Sequence, residues 1–237
     1  MIVRDHPEGR LLITQPDHAS LARRIMERWS TGLADSKRRQ EILLAIEAHD
    51  NGWLVVDGAP IVDDAGEILD FMHVPDDIRQ GVWPRSVARL TATPYSAALV
   101  AQHAIHIFSR YRERQDWQPF FAEMQRLRDE QLAAVGQVPL DTLIADYSFL
   151  RLADLISLTF CNAWTEVQGE DHGYAIRLQD SRLTLAPDPF EGREVPIEIG
   201  GRLLRKGPFA SAAAARAAWE SAPRVLISSH IVGASVC

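Results

Sequence analysis

The chain has 237 residues, 46% hydrophobic and 24% charged, ordinary proportions for a globular protein and poor ones for a disordered chain. Its 25 basic and 32 acidic residues give a net charge of −7, which argues against sequence-independent nucleic-acid binding and against docking on anionic membranes. No apolar run approaches the roughly 18 residues of a spanning helix, the start lacks a signal-peptide core, and Cys161 and Cys237 belong to no CxxC, so a reduced cytoplasmic protein is expected.

In chain order, Ile2-Val3 and Leu11-Leu12-Ile13 flank the turn Pro7-Glu8-Gly9 and predict a hairpin over 1–14. A helix is expected over about 17–29, with His18, Ala22, Ile25 and Trp29 on one face. A second, over about 35–50, has Ile42, Leu43 and Ile46 on the face that runs into His49 and Asp50, with Gly52 as its stop. Residues 53–92 look irregular, with a short hairpin or extended loop at Val55-Val56 and Pro60-Ile61-Val62. Thr93-Pro94 opens a buried helix to about 112, and another covers about 119–134. The helix over about 140–164 is apolar between Arg151 and Glu166 except for Asp154. Strands follow at 174–178, 183–185, 195–199, 202–204 and 225–232, with an Ala-rich helix over about 211–220. The expected fold is mostly α, a helical bundle with a small β-sheet built from the N-terminal hairpin and the C-terminal strands, α+β overall. It divides into a helical body over 1–165 and a β-rich subdomain over 166–237. An uncovered strand edge is an aggregation hazard, so pairing within the chain or across a homodimer is expected.

The candidate site residues are polar groups on apolar faces. His18 lies on the inward face of the first helix, and His49-Asp50 ends the second. His103 and His106, at i and i+3, project to one side of a mostly apolar helix. Asp154 is a carboxylate in an apolar helix, costly to bury unless paired. Imidazoles sharing a cation with it remove that cost, and the donor set suits one or two divalent Mn, Fe, Co, Ni or Zn ions. The competing readings are a solvated His18, a helix-terminal His49-Asp50, satisfied histidines at 103 and 106, an Asp154 paired with Arg151 one turn earlier, and an Arg110 that snorkels to solvent. His6, His73, His172 and His230 have no supporting pattern and read as structural.

The order His18, His49-Asp50, then Asp154 within Leu152-Ala153-Asp154-Leu155-Ile156-Ser157 resembles the HD superfamily of metal-dependent phosphohydrolases over about residues 15–160. More narrowly, Thr14-Gln15-Pro16-Asp17-His18-Ala19 and His49-Asp50-Asn51-Gly52-Trp53 are similar to a bacterial family known only as a domain of unknown function. The stretch 50–93 is longer and less helical than in HD enzymes, and neither a P-loop nor a Gly-rich phosphate turn is present. The superfamily resemblance implies His18, His49, Asp50 and Asp154 as metal ligands, with His103 and His106 as ligands of a second metal or as an acid and a phosphate contact. It implies hydrolysis of a small anionic substrate, a phosphate ester or nucleotide, by metal-activated water. Asp50 would bridge two metals, and Arg110 or Arg151 would stabilise developing negative charge. A di-iron oxygenase on the same scaffold and a non-catalytic binding protein are the alternatives.

Overall fold

The computed structural model describes residues 1–136, 138–167 and 173–234; His172 and Cys237 lie outside them. Strands β1 (Ile2–His6) and β2 (Gly9–Ile13) form the expected N-terminal hairpin. Helix α1 (Gln15–Met26) starts earlier than its apolar spacing suggests, because Thr14 caps it by accepting the Asp17 N–H at 3.2 Å and Pro16 fits the first turn. Helix α2 (Arg39–Ala48) is shorter than expected, since the chain before it turns rather than winds.

The irregular stretch holds the main correction. Residues Asn51–Leu54 and Val56–Gly58 make tight 3-10 turns rather than a hairpin, and Val62 meets Ile68 in an isolated bridge. A full helix, α3 (Asp76–Ala88), then follows with Pro84 inside it. Pro84 lacks the N–H that would bond the carbonyl one turn back, which marks a helix interior as a loop when read locally. Packing decides otherwise: Val82, Trp83 and Val87 are buried in the main core.

Helix α4 (Pro94–Ile107) is buried along most of its length and ends in a 3-10 turn at Ser109–Tyr111. Helix α5 (Gln118–Val135) packs against it, and α6 (Leu140–Asn162) crosses α1, α2 and α4 before a left-handed cap at Ala163. Strands β3 (Glu166–Val167), β4 (Ala175–Gln179), β5 (Arg182–Ala186), β6 (Val195–Leu204) and β7 (Arg224–Gly233) follow, with α7 (Ala212–Ser221) between the last two. Two expected strands are one: Gly200 and Gly201 look like a turn but stay in the ladder opposite Leu226 and Val225.

All strands among the described residues join one sheet, ordered β1-β2-β6-β7-β5-β4-β3 and antiparallel except between β5 and β7. The hairpin and the C-terminal strands therefore pair within the chain through β2 and β6. The fold is α+β and mostly helical. No helix among the described residues is long and apolar enough to cross a membrane.

Gly52 locks the turn after α2 onto α3. Its N–H donates to Ser86 Oγ at 2.7 Å, and a Cβ there would lie 1.8 Å from the Val82 carbonyl oxygen. A Gly52→Ala variant is expected to lose at least the upper end of the roughly 1–3 kcal/mol typical of overpacking, because the clash is with backbone that cannot rotate away. Urea denaturation checks this; an unchanged midpoint would mean that α3 is free to move off the turn.

Candidate metal centre

Four helical segments bring the site together. His18 is on the first turns of α1, His49 and Asp50 follow the end of α2, His103 is on α4 and Asp154 is near the middle of α6. The start of α1 is tied down by the Gln15 N–H, which donates to Asp57 Oδ2 at 2.6 Å. All three imidazoles are essentially buried, with His18 0%, His49 1% and His103 1% exposed.

His18 and His49 use the same local device. Nδ1 of His18 bonds the Gln15 carbonyl at 2.6 Å, and Nδ1 of His49 bonds the Ile46 carbonyl at 2.7 Å, each three residues back. A carbonyl oxygen only accepts, so each Nδ1 carries the proton and the neutral ring keeps its lone pair on Nε2. Those two Nε2 atoms lie 3.1 and 3.4 Å from Asp154 Oδ1. With both rings neutral, the carboxylate oxygen would face two lone pairs. A proton on one Nε2 or a cation among the three atoms removes that repulsion. His49 Nε2 is buried and has no hydrogen-bond partner despite its nearness to the carboxylate.

Asp50 and His103 stand against this trio. Asp50 Oδ2 is 3.5 Å from His49 Nε2 and 3.6 Å from His18 Nδ1. His103 Nε2 is 3.7 Å from Asp154 Oδ2, and its Nδ1 is 3.1 Å from the Tyr147 hydroxyl. If Tyr147 donates, His103 presents an N–H to Asp154; if Tyr147 accepts, His103 presents a lone pair. The rings meet edge to face, His18 on His49 at 5.2 Å and His49 on His103 at 5.1 Å between centroids.

The electrostatics follow from this geometry. Burial works against charge on His49, but Asp50 and Asp154 outweigh it and raise the imidazole to about 9. Burial alone would raise Asp154, yet His18 and His49 beside it hold its carboxyl well below the usual range. Asp50 goes the other way, pushed up by burial. His103 is pushed down by burial to about 3, so its ring is neutral.

The same face of α6 carries a second acid that gives a useful contrast. Asp146 Oδ2 accepts from Arg38 Nε and from the Tyr95 hydroxyl, both at 2.6 Å. That carboxylate is satisfied by donors with no ligating role. Asp154 instead has ring nitrogens of His18, His49 and His103 within 3.7 Å, all capable of binding a metal.

The remaining candidates lie further out. His106 is half-buried with its ring 5.6 Å from that of Tyr147, and burial and Arg151 lower its pKa. Arg110 lines a cleft that Asp50, His103 and Asp154 also line. His6 and His73 are bonded locally near the surface, to the Glu8 N–H and to Asp70.

Sequence reasoning missed Trp53, Arg79 and Trp83, which line the same cleft, and Tyr147, which bonds His103. A signal for α3 was present: Pro75-Asp76-Asp77 is a helix start, and Ile78, Val82 and Val87 recur at near-helical spacing.

The chain belongs to the family described as "Protein of unknown function (DUF3891)", whose model matches residues 1–206. No curated protein and no solved structure shows a significant match to it.

Proposed function

We propose that this chain is a metal-dependent hydrolase of the HD type that acts on a small phosphate ester. The observation that carries the reading is His49 Nε2, a buried nitrogen with no partner beside the carboxylate of Asp154 and the Nε2 of His18. The ligating atoms of His18, His49 and Asp154 lie within 4.8 Å of one another. Ligands about 2.1 Å from a shared cation stand roughly 3–4 Å apart, and the spacings of 3.1 and 3.4 Å fit that. Two imidazoles and a carboxylate suit Mn, Fe, Co, Ni or Zn, and the carbonyl bonds at Gln15 and Ile46 fix the two tautomers that ligation requires.

His18, His49 and Asp154 would hold the ion, with Asp50 and His103 beside them for a fourth position or a second ion. A bound divalent cation supplies a water acidic enough to be a nucleophile near neutral pH and polarises a phosphoryl oxygen. The chain does the rest. His103 and Asp50 face the substrate side and can pass a proton at Nε2 or Oδ2. Arg110, exposed at the cleft, meets the negative charge that grows on the phosphoryl oxygens, with Arg151 adding positive potential behind His106.

Protein purified without chelator is expected to carry about one or two transition-metal ions per chain by mass spectrometry. A His49→Ala, Asp154→Ala double variant is expected to carry none while keeping its circular dichroism. A metal-free wild-type chain, inert toward generic phosphate esters after reloading, would rule the reading out.

A further inference from the structure

The cleft beside these ligands has an unusual share of the molecule's unpaired polar atoms. Among the described residues, five buried side-chain polar atoms have no hydrogen-bond partner: Gln15 Oε1, His49 Nε2, Trp53 Nε1, Arg79 Nε and Trp83 Nε1. His49 belongs to the ligand trio, and the other four residues all line the cleft. Unpaired buried groups are costly, so their gathering around one cavity marks a surface built for polar contact with a guest. Three of these four atoms are N–H donors, which suits a guest rich in acceptors.

The charge balance narrows the guest further. Arg79 is already matched by Asp76, which its guanidinium contacts. Arg110 stacks over the Tyr111 ring at 4.8 Å and makes no ion pair among the described residues. One uncommitted positive charge therefore faces the cleft, against Asp50 and Asp154. A divalent cation on those two acids leaves a net charge of about one positive unit, enough for an anion of one or two charges but not for the roughly four of a nucleoside triphosphate. Of the three arginines around the Tyr111 ring, Arg79 and Arg114 are already paired with Asp76 and Asp116, and no Gly-rich turn is present to cradle a longer phosphate chain. The other walls are apolar and partly aromatic, with Phe71, Ile107, Phe108 and Leu158 opposite the indoles.

We propose that the cleft selects a compact organic anion: an oxyanion head held by Arg110 and the N–H donors of Arg79, Trp53 and Trp83, and a ring-sized apolar body against the aromatic wall. This rests on the hydrolase reading for where the reacting group sits, and it names the substrate class: monoesters with an apolar aryl-like part, not polyphosphates.

Phosphonates are not hydrolysed, so calorimetric titration reads binding without turnover. Phenylphosphonate is expected to bind the full chain at least about tenfold more tightly than methylphosphonate, which carries the same head without the ring. Adenosine triphosphate is expected to bind no better than methylphosphonate. Arg110→Gln should weaken phenylphosphonate about tenfold or more with unaltered circular dichroism. Trp83→Phe, which keeps a ring and removes the N–H, should weaken it several-fold. Equal affinity for the two phosphonates, tightest binding of the triphosphate, or indifference to Arg110→Gln would overturn the proposal. The titration repeated on chelator-treated protein separates the two readings. A ring preference that survives in a chain shown to take up no metal supports this cleft and sinks the hydrolase; a metal-loaded chain with no ring preference does the reverse.

Discussion

An Asp154→Asn variant is expected to lose metal binding and turnover, while the metal-free protein stays folded and gives up only the part of its stability that Asp154 contributes by raising His49. The reason lies in the tautomers. His18 and His49 give their Nδ1 protons to backbone carbonyls, so Nε2 is the atom each ring aims at position 154, and without the Asp154 charge His49 has less reason to hold a second proton there. The amide of the variant can donate its N–H to an Nε2 that has given up its proton, so the folded chain gains a neutral hydrogen bond in place of a charge contact. A cation gains nothing: the anionic ligand is gone and an N–H₂ group points toward its place. The loss of affinity should exceed the roughly 10–100-fold that follows when only a supporting hydrogen bond to a ligand is removed. In thermal denaturation, the stabilisation by added metal, about 2.7 kcal/mol at a hundredfold excess over Kd, should vanish. Asp146→Asn is the control from the same helix face. It takes a charge from between Arg38 and Tyr95, and the partly exposed Arg38 limits the cost to roughly 1–2 kcal/mol. That variant should be less stable with and without metal and should bind the ion normally. If Asp154→Asn bound metal as the wild type does, the trio would not be the ligand set.

The two aspartates also show which parts of the site the sequence makes legible. A carboxylate inside a long apolar run is expensive enough to need a reason, and Asp154 stands alone between Arg151 and Glu166. His18 and His49-Asp50 follow apolar faces whose period is helical, so their inward direction can be read before any contact is known. The cleft walls could not be found in that way. Trp83 and Arg79 sit on α3, where Pro84 and a weakly sided pattern hide the helix, and tertiary packing of Val82 and Val87 forms it regardless. Likewise Gly200-Gly201 suggests a turn, while pairing with Leu226 and Val225 carries β6 straight through. His103 and His106 look equivalent at three residues apart, yet only His103 turns fully inward; His106 rests half-buried against Tyr147. The partners that decide such differences come from other helices, and a single-chain pattern does not contain them.

Metal and protons should compete at His49, so that rising pH weakens the metal-free protein but not the loaded one. In the metal-free chain the folded imidazole is raised to about 9 from an ordinary 6.5, with burial opposing and Asp50 and Asp154 prevailing. A raised base contributes stability that is fully present below pH 6.5 and lost as pH climbs through 9, on the order of 3 kcal/mol. Asp154, held below its usual range, has the other sign: its contribution is present above the ordinary carboxylate pKa and fades only as the solution becomes strongly acid. Between pH 6.5 and 9 the His49 effect therefore dominates, and the metal-free protein should become less stable. Ligation requires His49 Nε2 to be bare, so each unit of pH over the same window makes the one competing proton tenfold scarcer and should tighten metal binding up to about tenfold. The gap between melting temperatures with Mn²⁺ and with chelator should accordingly widen steadily from pH 6.5 to 8.5. Calorimetry in two buffers of different ionisation enthalpy should show up to about one proton released per ion bound near pH 7. A gap that stays constant across the window, with no proton release, would mean that His49 is neutral in the metal-free fold or does not touch the ion.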